Sequence, residues 1–216
     1  WVFHRLAESG PGAEVAQHLN ALLPDEGVRD HVLSQDRERL GEVKRQRAEA
    51  AAAYFRDNAE SWDTLRSLHV DDAEVEKVIS RLLPRDGIEN LLDVGTGTGR
   101  MLELLAPRAR HLQGIDLSRE MLAVARANLE RADYRNCRVR QADLYQLPYP
   151  AAVFAAVTVH HVLHFLDQPA AAIAEAARVL TPGGLLVVVD FLPHDQENLR
   201  QEHEHRRLGF ADKEIG

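Results

Sequence analysis

The sequence predicts an α/β fold, a doubly wound and mostly parallel sheet preceded by a helical segment. Three observations carry this reading. Apolar or alternating runs of strand length recur at Leu91–Val94, Leu112–Asp116, Arg138–Leu144, Val153–Val159 and Leu185–Asp190. Helical patterns at Met101–Leu105, Glu120–Ala125 and Ala170–Leu180 fall between them, and strands separated by helices pair in parallel. Finally, three glycines alternate with threonines directly after the first run, in Gly95-Thr96-Gly97-Thr98-Gly99, which reads as a tight turn between strand and helix.

That loop is the centre of the chain. So much glycine is needed only where backbone is approached closely. The dinucleotide fingerprint would place a glycine at Arg100, and here the third glycine falls one residue early, at Gly99. Asp93, at the end of the strand, would repel a pyrophosphate and suits a ligand carrying an ammonium group. Asp116 ends the second run about twenty residues beyond the loop, where a carboxylate accepts two hydrogen bonds from a ribose diol. Ser118 then reads as the cap of the next helix.

The pattern Asp93-x-Gly95-x-Gly97-x-Gly99, followed by Asp116 and Asp143 at later strand ends, resembles class I S-adenosylmethionine-dependent methyltransferases over roughly residues 71–195. The resemblance implies S-adenosylmethionine as cofactor and S-adenosylhomocysteine as product. It assigns the cofactor to Asp93, Gly95, Thr96, Gly97, Thr98 and Gly99, to Asp116, Leu117 and Met121, and to Asp143 at the adenine amine with Ala142 and Leu144 flanking the base. It also assigns the backbone carbonyl of His160 to the cofactor's amino group. In this family the mechanism is direct transfer to a positioned nucleophile, with a base needed only where that nucleophile carries a proton.

His160-His161-Val162-Leu163-His164 follows the fourth run, where the family commonly faces the transferred methyl. His161 and His164 are therefore the candidate catalytic residues, each with a plain packing role as the alternative. Tyr54-Phe55 to Trp62-Asp63 resembles the segment before the core domain in ubiquinone-biosynthesis-type enzymes, so Tyr54 and Trp62 are expected at the substrate pocket, with helix packing as the alternative. No ligand set for a metal is completed near the histidines. One cysteine, Cys137, excludes an internal disulfide and disfavours thiolate-dependent arsenite chemistry; it is expected as a small buried hydrophobe in a cytoplasmic protein.

A formal charge of -8 across 216 residues argues against a broad nucleic-acid surface, and no apolar run is long enough to span a bilayer. The chain starts at Trp1, so it is expected to begin inside a longer product. Trp1–Leu6 alternates like a strand, and with the helix expected at Ala13–Leu23 it resembles the end of an ArsR-type winged helix. DNA contact would then need the rest of that domain. The organisation expected is a winged-helix remnant (1–25), a helical linker serving dimerisation and covering the pocket (26–70), and a methyltransferase domain without its last strands (71–216). Acids interleave with Arg37, Arg39, Lys44, Arg45 and Arg47, giving a solvated helix face that could pair in a homodimer. The tail, Pro193 to Phe210, reads as a polar helix, solvated or, as the minor reading, a lid. The function expected is methyl transfer to a small molecule by a domain fused to a transcriptional regulator; the alternative is a non-catalytic sensor of S-adenosylmethionine or S-adenosylhomocysteine.

Overall fold

The computed structural model describes residues 31–67 and 72–215, with Ala13, Val15 and His18. Two compact units divide the chain, residues 1–48 and 49–216. The division falls inside the long helix α1 (His31–Asn58). Ala13, Val15 and His18 are helical, as the Ala13–Leu23 expectation requires, whereas the strand expected at Trp1–Leu6 lies outside the described residues. Arg39 pairs with Asp36 and Arg45 with Glu42 one turn apart, so the basic cluster is balanced along its own helix face.

In the second unit, the end of α1 passes through a 3-10 turn (Ala59–Ser61) into α2 (Trp62–Ser67), and α3 (Asp72–Leu82) leads to β1 (Ile88–Val94). Then follow α4 (Arg100–Leu105), β2 (Ala109–Asp116), α5 (Arg119–Arg131), β3 (Cys137–Gln141), β4 (Phe154–His160), α6 (Pro169–Val179) and β5 (Leu180–Val189). The sheet order is β3-β2-β1-β4-β5, with every pairing parallel. The winding therefore reverses between β1 and β4, and a crevice opens there beyond the strands' carboxyl ends.

Residues alternate between two cores, as strand geometry dictates. Leu91, Leu112 and Ala156 pack with Ile79, Met101, Leu102 and Leu129 on one face. Leu92, Ile115 and Val157 pack with Leu163, Ala172, Ala176 and Phe210 on the other. Cys137 sits partly buried against the first core, and burial pushes its thiol up to about 12, consistent with an inert packing role. Ser118 caps α5 as expected, its hydroxyl accepting from the Met121 N–H at 3.2 Å.

Two local expectations, for the fifth strand and for the tail, are corrected. The Pro182-Gly183-Gly184 segment does not precede the fifth strand. β5 starts directly at Leu180, opposite Phe154, and the next partners are Leu185 and Ala156, so the glycines bulge out of the ladder. Gln168 stands at the start of α6 without a side-chain cap bond, while Asp167 forms an ion pair with Arg206 of the tail. The tail itself is no continuous solvated helix. Its described helices are α7 (Asn198–Glu202) and α8 (Asp212–Ile215), and Leu199, His205 and Phe210 are buried. Gly209 explains the close return of the chain, since a Cβ there would strike the Leu192 carbonyl.

Candidate functional site

Gly95, Gly97 and Gly99 all have positive φ, at 70, 53 and 87°. That conformation costs side-chain-bearing residues, and a Cβ on Gly95 would also run into Val162. Gly99 hands the chain to α4 from the left-handed region. Asp93 is 1% exposed, with its Oδ1 accepting from the Thr158 hydroxyl at 2.6 Å. Asp116 Oδ2 accepts from Gly97 N–H and its Oδ1 from Ser118 N–H, both at 2.9 Å. Burial pushes the Asp116 carboxyl up, and the N–H groups of Ser118, Gly97 and Leu117 offset part of that rise. Leu117, 66% exposed, lies beside it.

The remaining residues expected at the cofactor separate by role. Ala142 N–H donates to the Asp116 carbonyl, which ties the end of β3 to the end of β2. Asp143 closes its own turn, Oδ1 accepting from Tyr145 N–H at 2.9 Å, and Ala142 and Leu144 pack partly buried against the core. The side chain of Met121 is buried at 1% exposure, inside the fold.

The helical segment reaches this loop. Thr98 Oγ1 donates to Asp63 at 2.7 Å, and a Cβ on Gly97 would lie 3.7 Å from the Trp62 indole nitrogen. Behind them the Arg100 guanidinium makes two 2.6 Å bonds to Glu76, a fork that fixes the start of α4 against α3.

Beside the loop an open cleft is lined by Tyr54, Trp62, Leu65, His161, His164, Phe165, Phe191, His203 and His205. Tyr54 and Trp62 meet edge-on at 6.2 Å, and Tyr54 shares a 2.7 Å hydrogen bond with His203 Nδ1. The rings of Tyr54 and Trp62 thus serve both the wall and helix packing. His161 stacks between His160 and Phe191, at 4.3 and 4.7 Å, with φ of 55°. His164 is almost fully buried and lies 2.8 Å from the Asp190 carboxylate through Nδ1. Asp190 also accepts from Leu163 N–H and Phe191 N–H. Burial alone would raise its carboxyl, but the hydrogen bond and charge of His164, with Phe191 N–H and His161, hold it below the usual carboxylate range. His203 and His205 face the same cavity because α7 has ended at Glu202.

The sequence reading missed Asp190, Phe191, His203 and His205 as site residues. Asp190 carried one signal, a carboxylate ending an apolar strand like Asp116. Among the described residues no group of three or more His, Cys, Asp or Glu is arranged to hold a metal.

The residues at the ends of β1 and β2 fit S-adenosylmethionine: left-handed backbone at three glycines, of which Gly95 and Gly97 are partly exposed, a carboxylate already oriented by two N–H groups, and an exposed leucine for a flat base. Residues 92–188 match the family described as methyltransferase domain. The second unit has the fold of S-adenosylmethionine-dependent methyltransferases. Demethylmenaquinone methyltransferase of Tropheryma whipplei (strain Twist) is 32% identical over 150 residues, 69% of this chain and 59% of that protein. The enzyme of the same name from Deinococcus radiodurans is 34% identical over 155 residues, 69% of this chain and 64% of that one. The chain thus spans about three fifths of the length of these relatives. Among solved structures, the DhpI–SAH complex is 28% identical with a TM-score of 0.56, covering 68% of this chain and 70% of that one. The match over residues 92–188 takes in the glycine loop, Asp116 and the strands that position them.

Proposed function

We propose that the protein transfers the methyl group of S-adenosylmethionine to a small-molecule acceptor bound in the aromatic and histidine-lined cavity. The observation that carries this reading is the contact of Trp62 and Asp63 with Gly97 and Thr98, which sets that cavity beside the glycine loop. S-adenosylmethionine supplies an electrophilic methyl on a sulfonium. Asp116 would hold the ribose, Asp93 the side of the ammonium, Asp143 with Ala142, Leu117 and Leu144 the base, and the His160 carbonyl the amino group. Tyr54 and Trp62 exclude water over the reacting centre and favour a cationic sulfonium by their ring faces. His161 and His164 are the side chains that could take a proton from the acceptor. The test is transfer of labelled methyl from S-adenosylmethionine into a cell extract, with Asp116→Ala beside wild type. Label in an extracted small molecule, lost in the variant, supports the reading; label in no product from any extract overturns it.

We further propose that the unit is joined to a DNA-binding regulator and pairs through α1. The alternating pattern of Trp1–Leu6 and the exposed Leu40 and Val43 on α1 support this, 54% and 42% exposed. A sensor role is the second reading, favoured by the bond from Thr98 to Asp63, through which occupancy of the loop would bias the helical segment. A ligand that serves as a switch must shift operator affinity, so equal operator binding by the full-length protein with and without S-adenosylmethionine rejects it. Among the described residues no helix is long and apolar enough to cross a membrane, and a cytoplasmic setting is part of the proposal.

A further inference from the structure

The cavity wall presents aromatic rings and four histidines but no Lys, Arg, Asp or Glu. Burial, followed by the charge of His164, pushes His205 down to about 3, so that ring is neutral near pH 7. Such a wall has no Lys or Arg with which to grip a phosphate or carboxylate and no carboxylate to pair with an amine. It suits a flat, uncharged molecule.

One histidine differs from the others in how it is held. An ionised Asp190 is acceptor-only, so His164 donates its Nδ1–H to it, and Nε2 is left as the ring nitrogen for a bound molecule. The carboxylate side chain is fully buried behind the ring and fixed by the Leu163 and Phe191 N–H groups. The His164 carbonyl accepts from both Arg206 and Arg207 N–H, at 2.9 and 3.2 Å. The Asp190 bond thus sets the ring's tautomer, and the tail's two N–H groups hold its backbone. His161, by contrast, is held by stacking between two rings.

Resting on the proposed methyl transfer, we propose that His164 is the general base, that Asp190 is its positioning residue, and that the acceptors are flat, uncharged molecules presenting a phenolic or enolic hydroxyl. The acceptor oxygen bonds to the methyl carbon as the methyl–sulfur bond breaks and its electron pair stays on sulfur. The hydroxyl proton passes to His164 Nε2, and the Asp190 carboxylate stabilises the resulting imidazolium. The groups facing His164 are Asp190, His161, His205, Phe165 and Phe191. Only Asp190 brings it a negative charge.

4-Nitrophenol, whose phenolate absorbs visible light, reports the proton transfer without turnover. Bound to wild type it ionises at a lower pH than when free, and His164→Gln loses that shift while it still binds S-adenosylmethionine in calorimetry, which shows that the cofactor site is folded. In methyl transfer to phenols of graded acidity, His164→Gln loses roughly 10²–10⁴-fold in kcat on the least acidic and little on the most acidic. Asp190→Asn displaces the acid limb of the kcat/KM profile, a change that loss of packing alone does not produce. A variant His164→Gln that keeps both the spectral shift and the rate on weakly acidic phenols overturns the assignment of the base. A wild type that binds S-adenosylmethionine yet methylates none of the phenols overturns the acceptor class. Absence of S-adenosylmethionine binding overturns the reading beneath both.

Discussion

The proposed cofactor half and the proposed acceptor half of the site share the carboxyl ends of one sheet, yet the first is made largely of consecutive backbone and the second of side chains gathered from four segments. Gly95 to Gly99 and Asp116 hold one another through N–H groups and lie within a single strand-helix-strand passage. Tyr54 with Trp62, His161 with His164, Phe191, and His203 with His205 meet only after the sheet has closed and the tail has returned. Backbone fixed by local sequence tolerates variation elsewhere; a wall of distant side chains depends on every packing step that brings it together. The match to methyltransferase domains takes in the whole of the proposed cofactor half and, of the cavity wall, His161, His164 and Phe165.

The sharpest way to break the contrast is Asp190→Ala. It strips a buried carboxylate from His164 and from two N–H groups, and removal of one partner of a buried pair costs about 3–5 kcal/mol. Urea unfolding should show that loss, and a change below 1 kcal/mol would mean the acceptor half does not depend on this pair. Gly95→Ala tests the backbone half: overpacking against Val162 should cost about 1–3 kcal/mol, with left-handed strain added, and should abolish S-adenosylmethionine binding by calorimetry. Asp116→Ala should leave the fold standing and weaken the same binding by roughly 10- to 100-fold, as expected for lost bonds to a charged group of about 1.5–3 kcal/mol.

In acid, one contribution to stability comes from the wall of the cavity and can be isolated by a single variant. Because burial and then His164 depress His205 from 6.5 to about 3, the unfolded chain takes up its proton first as the pH falls. Stability from this residue is complete above about 6.5 and declines toward about 3, and His205→Gln should flatten that slope. The smallest effect is expected for Ser118→Ala, a cap loss of about 1 kcal/mol in chemical denaturation with the acceptor cavity unchanged.

How legible each half was follows from the same contrast. The five strands, their order of appearance and the loop could be read because apolar runs, glycine spacing and Ser118 act within a few residues of themselves. The Pro182-Gly183-Gly184 segment misled because a turn sequence can also be carried as a bulge once β4 offers a ladder on both sides of it. The tail misled for a different reason. Its polar composition reads as a solvated helix, but Gly209 lets the chain pass against Leu192 and drive Phe210 into the core, which turns His203 and His205 toward the cavity.

By itself, then, the sequence determined the α/β class, the glycine loop with Asp93 and Asp116, and the S-adenosylmethionine dependence, because these rest on short-range backbone requirements that few residues can meet. Only the tertiary structure decided that His164 is bound to Asp190, that His161 is held by stacking, and that Tyr54, Trp62 and the tail histidines share one wall. Those pairings join residues 26 to about 150 positions apart, such as His164 with Asp190 and Tyr54 with His203. No local propensity encodes a contact at that separation; it exists because burial of the two cores brings the segments together.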